Sequence, residues 1–200
     1  MILRAALVDM DGTIWESPLR MAALRQKLGL PQDGRPILAG IAGLPPGERE
    51  RATQALRDHE AHAVERGALR PGTVELLQFL RRRGLRCALI TNNSRQSVGA
   101  VLARHALPFD LVFTRDDGPL KPDPQAFLLP LARLGVPPKE AIAIGDSHLD
   151  LQAAVGAGMG AVVLVQPAEW MRAHFPAGAT YRETADLTEA RAVIARLLGQ

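Results

Sequence analysis

Two carboxylates separated by one residue, Asp9 and Asp11, close the apolar run from Leu3 to Val8 and are followed by Gly12-Thr13. Residues two apart on a strand project from the same side, so both side chains are expected in one small space at the end of a buried strand. At about 4 Å and an effective dielectric near 20, two unpaired carboxylates repel by roughly 4 kcal/mol. Such a pair calls for a cation, a shared proton or a strong hydrogen-bond network. Three further polar clusters also follow apolar runs. Thr91-Asn92 ends Leu85–Ile90, Lys121 stands in Lys-Pro-Asp-Pro, and Asp146 and Asp150 lie in Gly-Asp-Ser-His-Leu-Asp after Ala141–Ile144. Lys121 stands out because the chain otherwise uses arginine for its positive charge, with Lys27 and Lys139 the other lysines.

The elements needed to position these groups are legible as a pattern. Helices are expected over Thr73–Arg83, Ser94–His105, Pro124–Leu134, Leu149–Ala157 and Thr188–Leu198. In the first, Val74, Leu77 and Leu80 form the apolar face. Pro130 lies inside the third helix and is expected to kink it or end it early. Strands are expected at Leu3–Val8, Leu85–Ile90, Asp110–Thr114, Ala141–Ile144 and Ala161–Val165, with a last short one at Ala179–Arg182. Strands alternating with helices imply parallel pairing through right-handed crossovers. In open parallel sheets, sites form beyond the carboxyl ends of the strands, which is where all four clusters fall.

Residues 14–70 have another texture. A short helical pattern over Leu19–Leu30 leads into a Gly/Pro-rich passage, Asp33–Gly47. A charged helix over Glu48–Arg66 follows, with a thin stripe of Ala52, Ala55, Leu56, His59 and Ala63. This segment is expected to be a small helical appendage. The whole reads as an α/β fold: a Rossmann-like parallel sheet flanked by helices in residues 1–13 and 71–200, carrying a small α-helical cap over 14–70.

Bulk properties set limits. The 200 residues, 47% hydrophobic and 22% charged with a net charge of +3, are ordinary for a globular protein. A lone cysteine, Cys87, precludes an internal disulfide and, inside an apolar run, reads as a buried structural thiol. The opening apolar run is too short for a secretory signal and no stretch is long enough to span a membrane, so a cytoplasmic location is expected. Arg81-Arg82-Arg83 reads as a helix C-terminus favoured by the dipole, not as a nucleic-acid surface.

Taken together, Asp9–Thr13 (DMDGT), the strand ending in Thr91, Lys121 in KPDP, and Gly145–Asp150 resemble, in order, the four motifs of the haloacid dehalogenase-like hydrolase superfamily. The resemblance covers essentially the whole chain. It implies phosphoryl transfer with Asp9 as nucleophile and Asp11 as general acid and base. Thr91, Asn92 and Lys121 would bind the phosphate. Mg²⁺ would be held by the Asp9 and Asp146 side chains and the Asp11 main-chain carbonyl, while Asp150 would orient metal waters or Lys121. A Mg²⁺-dependent phosphatase acting on a small phosphorylated metabolite through an aspartyl-phosphate is expected. The alternatives are a phosphomutase similar to β-phosphoglucomutase and a non-catalytic binding protein on the same scaffold. Arg49, Arg51 and His59 of the cap are candidate substrate contacts, and His148 is expected in a rim or substrate-facing role.

Overall fold

A computed structural model describes residues 1–199. The chain forms two compact units, Met1–Glu16 with Leu69 onward, and Ser17–Ala68.

The strands are β1 (Ala5–Val8), β2 (Trp15–Glu16), β3 (Ala68–Leu69), β4 (Arg86–Ile90), β5 (Leu111–Phe113), β6 (Ala141–Gly145), β7 (Ala161–Val165) and β8 (Arg182–Thr184). The helices are α1 (Met21–Lys27), α2 (Ile37–Ala42), α3 (Pro46–Arg66), α4 (Thr73–Arg82), α5 (Arg95–Arg104), α6 (Gln125–Leu134), α7 (His148–Gly156) and α8 (Leu187–Leu197).

The first unit is built on a six-stranded parallel sheet in the order β5-β4-β1-β6-β7-β8. The chain winds outward from β1 through β4 to β5, then returns to β1's other side and winds through β6 and β7 to β8. β1 therefore lies at the point where the winding reverses, the place where parallel sheets open a crevice. Its register is closed on both sides, Ala5 opposite Arg86 and Ala141, Val8 opposite Leu89 and Ile144. A strand covered on both faces needs no alternation of apolar and polar residues, and Ala5–Val8 is buried throughout. On one face Ala5, Leu7, Ala88 and Ile90 meet Phe127, Leu131 and Leu134 of α6 and Leu151 and Ala154 of α7. Outside that cluster, α4 and α8 pack against each other.

Helix α6 reaches Leu134, as expected, and Pro130 does not end it early. The proline forfeits one backbone bond, but its ring belongs to the buried stripe Ala126, Phe127, Pro130, Leu131 and Leu134, whose burial offsets the loss. Val74 is exposed, and α4 buries Leu76, Leu77, Phe79 and Leu80 instead. The last strand is Arg182–Thr184, beyond the expected Ala179–Arg182.

The second unit comprises α1, α2 and α3. It has its own apolar cluster: Leu24, Leu30, Ile37, Ile41, Ala52 and Leu56. Helix α2 lies within the passage read as Gly/Pro-rich coil. Ile37 and Ile41, one turn apart, anchor it, and Gly40 lets Leu30 approach to where a Cβ would crowd it. Packing overrides propensity at this point.

Candidate active site

The four clusters meet at the carboxyl ends of β1, β4 and β6, and the residues described here all belong to the first unit. Asp9 follows β1 and is buried, its main-chain N–H donating to Ile144 O at 2.9 Å. The chain then turns sharply. Met10 O accepts from the N–H groups of Thr13, Ile14 and Trp15, and Gly12 N–H donates to Trp15 O. Gly12 takes φ +77°, and a Cβ there would overlap the Asp146 carboxylate. Only glycine allows both the left-handed turn and this approach. Asp11 lies on the outside of the turn, exposed, where Asn93 Nδ2 donates to its carboxylate.

Lys121 is the hub. Its ammonium, 3% exposed, donates to Asp9 Oδ1, to Asp150 Oδ1 at 2.6 Å and to Ile90 O at 3.2 Å. Burial by itself would release the proton, but Asp150 and Asp9 outweigh it and hold Lys121 above its ordinary range. The main chain of Lys121 is fixed by Asn92, whose Nδ2 donates to Lys121 O at 2.9 Å while its Oδ1 accepts from Lys121 N at 3.0 Å. The Asn92 side chain, expected on a phosphate, is thus committed at both ends to Lys121. Its peptide group remains for a ligand. Thr91 is buried, and its Oγ1 accepts from Asn93 N at 3.1 Å.

Asp150 anchors the lysine because α7 starts there. Ser147 caps the helix, its hydroxyl accepting from Asp150 N, while Asp150 Oδ2 accepts from Ser147 N at 3.1 Å, a reciprocal capping box. Gly145 is required just before it, since a Cβ would overlap the Asp150 carboxylate. Ser147 and Asn93 were missed in the sequence. The signal for Ser147 was present, as Ser-x-x-Asp opening a helix is a capping pattern; nothing in the sequence marks Asn93 beyond its place after Asn92. His148 is buried, not on the rim. Its ring packs against Trp170 at 5.5 Å and His174 at 5.0 Å, both from the turn Glu169–His174.

The electrostatics leave a deficit of positive charge. Carboxylate oxygens of Asp9, Asp146 and Asp150 come within 4.8 Å of one another, with one ammonium among them. Burial, partly opposed by Lys121, pushes Asp9 up to about 7. Burial and the neighbouring Asp9 and Asp150 carboxylates raise Asp146 well above the usual carboxylate range. Among the described residues, Asp146 receives no hydrogen bond or ion pair from the protein. Two carboxylates beside an open crevice, all donors oxygen, suit a hard divalent cation that keeps several waters. Mg²⁺ fits this donor set: Asp146 is unengaged among the described residues, Asp9 is held by Lys121 at Oδ1 with only a long 3.5 Å bond from Thr13 at Oδ2, and Asp150 is engaged at both oxygens by Lys121 and Ser147.

The arrangement occurs within a chain of known kind. A family model described as haloacid dehalogenase-like hydrolase matches residues 3–158. An uncharacterised hydrolase of Saccharomyces cerevisiae is 31% identical over 169 residues, spanning 81% of this chain and 77% of that one. A phosphoglycolate phosphatase of Pseudomonas putida is 31% identical over 187 residues, spanning 80% of this chain and 69% of that one. Among solved structures, CbbY of Rhodobacter sphaeroides in complex with phosphate superposes with a TM-score of 0.66 at 25% identity, covering 94% of this chain and 96% of that one.

Proposed function

The chain belongs to the haloacid dehalogenase-like hydrolase family, and on that premise we propose that it is a Mg²⁺-dependent phosphatase of a small phosphorylated metabolite, working in the cytoplasm. The observation that carries the reading is the Lys121 ammonium bridging Asp9 and Asp150, with the Asp146 carboxylate alongside. A carboxylate nucleophile, a fixed cation and carboxylates able to hold a second cation suit the transfer of a phosphoryl group. The similarity to the phosphatase of P. putida and to the phosphate-bound CbbY supports it.

The reaction runs in two displacements. A carboxylate oxygen of Asp9 attacks phosphorus in line, and the bond from phosphorus to the substrate's ester oxygen breaks. Asp11 gives its proton to that departing oxygen. Asp9 now carries the phosphoryl group as a mixed anhydride. A water then attacks phosphorus, losing its proton to Asp11, and the bond to Asp9 breaks to restore the carboxylate and release inorganic phosphate. Lys121 offsets charge on Asp9 and the phosphoryl oxygens, while the Thr91 hydroxyl and the Asn92 main chain hold them. Mg²⁺ on Asp9, Asp146 and the Asp11 main-chain carbonyl would neutralise the phosphate and keep Asp9 ionised. The helical segment within residues 14–70 is the part of the chain proposed to select the substrate.

The test is direct. Asp9→Asn should reduce Mg²⁺-dependent phosphate release to background while leaving the fold intact by circular dichroism. Turnover like that of the wild type would refute the assignment.

A further inference from the structure

Asp11 is the one carboxylate of the set that is exposed, and beside the bond it accepts from Asn93 its aim depends on the turn that carries it. The next carbonyl along that turn, Gly12 O, is taken by a side chain from a distant part of the sequence. Arg70 Nη1 donates to Gly12 O, and its Nη2 donates to Gln166 Oε1 at 2.6 Å. Arg70 is itself held where the chain re-enters the sheet unit: its main-chain N–H donates to Ile14 O at 3.0 Å, and its carbonyl accepts from Thr73 Oγ1 at 2.8 Å. Gln166 follows the carboxyl end of β7 at φ +49°, a left-handed conformation that residues with a side chain seldom adopt. Its N–H donates to Thr184 O at 2.7 Å, which ties that conformation to the sheet. Strained backbone of this kind persists where its surroundings over-determine it, and it gathers at sites of function.

We propose that Arg70 is a positioning residue for proton transfer: its guanidinium, braced by Gln166, holds the Gly12 carbonyl and so fixes the direction of the Asp11 carboxyl. The proposal rests on the phosphatase reading above. The geometry distinguishes it from a general surface contact. The planar fork of an arginine spans two acceptors at once, and one of them belongs to the residue directly after Asp11. Within the turn, Met10 O accepts from the N–H groups of Thr13, Ile14 and Trp15, and Trp15 O accepts from Gly12 N–H. Gly12 cannot shift without disturbing Asp146, against which it packs. Rotation of the Gly12 peptide would therefore move Asp11 while leaving Asp9 and Lys121, which are fixed from β1, β4 and α7, in place.

The experiment compares p-nitrophenyl phosphate with phenyl phosphate as substrates of the wild type, Arg70→Met and Arg70→Lys. A p-nitrophenolate leaves with little help from an acid, whereas a phenolate needs the proton. Arg70→Met should lose about tenfold more kcat on phenyl phosphate than on p-nitrophenyl phosphate, a fraction of what a general acid contributes, with KM little changed. Arg70→Lys, which keeps one donor, should fall between. A cooperative thermal melt checks the fold, and if Arg70→Met lacks one, Arg70→Lys carries the same comparison. Equal losses on both substrates would overturn the proposal and leave the phosphatase reading standing. Absence of hydrolysis by the wild type on either substrate would overturn both.

Discussion

At the scale of single residues, the site is defined by a shortage of positive charge. Lys121 satisfies one side of Asp9 and of Asp150, and Asp146 is left to a cation. A pH dependence follows. In the unfolded chain Asp9 titrates near its ordinary 3.8, and in the fold near 7. The folded state therefore binds the extra proton between those values. The stability this contributes is complete below about pH 4 and is lost as the pH rises through 7. Asp146, raised in the same direction, adds to the loss; Lys121, which also faces Asp9, stays charged throughout. Metal-free protein should thus melt several degrees lower at pH 8 than at pH 5. Millimolar Mg²⁺, proposed above to be held by the ionised carboxylates, should close the gap mainly at pH 8; differential scanning calorimetry with and without a chelator would read both effects. Cys87 behaves oppositely to a reactive thiol. Burial in β4 pushes it up to about 12, as its apolar neighbours in the sequence suggest. The acidic and basic residues of the site were legible because charge interrupting apolar runs is visible in one dimension. Of the amides, Asn92 was expected on a phosphate and Asn93 was not singled out; neither has a periodicity to betray its role, which is set by what lies opposite, the Lys121 main chain for Asn92 and the Asp11 carboxylate for Asn93.

At the scale of elements, helix α7 unites a structural and a chemical role. Its capping box uses Asp150 to secure the helix start, and the same carboxylate anchors Lys121. Ser147→Ala should cost about 1 kcal/mol as a lost cap, measurable by urea unfolding, and should also lower kcat by loosening the lysine. A drop in stability with kcat unchanged would mean that Asp150 holds Lys121 without help from Ser147. The alternation of helix and strand was readable because each buried strand is an uninterrupted apolar run and each helix an amphipathic one. Helix α2 and the turn Glu169–His174 were hidden for another reason. The former is short, glycine-bearing and anchored by Leu30 and helix α3, while the latter is a 3-10 turn packed against the His148 ring of α7. Neither carries a periodic signal of its own. The extent of helix α6 was legible, but the early end that Pro130 suggested was not met, because a proline's local cost is visible in sequence and its compensating burial is not.

At the scale of the molecule, two units with separate apolar clusters share one chain. Leu56→Ala, in the cluster of the helical unit, should destabilise by about 2–5 kcal/mol as a core truncation. In hydrogen exchange, the faster exchange should be confined to residues 17–68, with β1, β4 and β6 as protected as in the wild type. Equal loss of protection in the sheet would mean that the two clusters open together. The central place of β1 has a further consequence, which concerns synthesis. β1 is made before both of its partners, and one of them, β6, begins about 130 residues later, a delay on the order of ten seconds at ribosomal speed. Until then one edge of an entirely apolar strand lies open, and Asp9 has neither Asp146 nor Asp150 beside it. The nascent chain is thus most exposed to aggregation through the strand that the finished protein shields best.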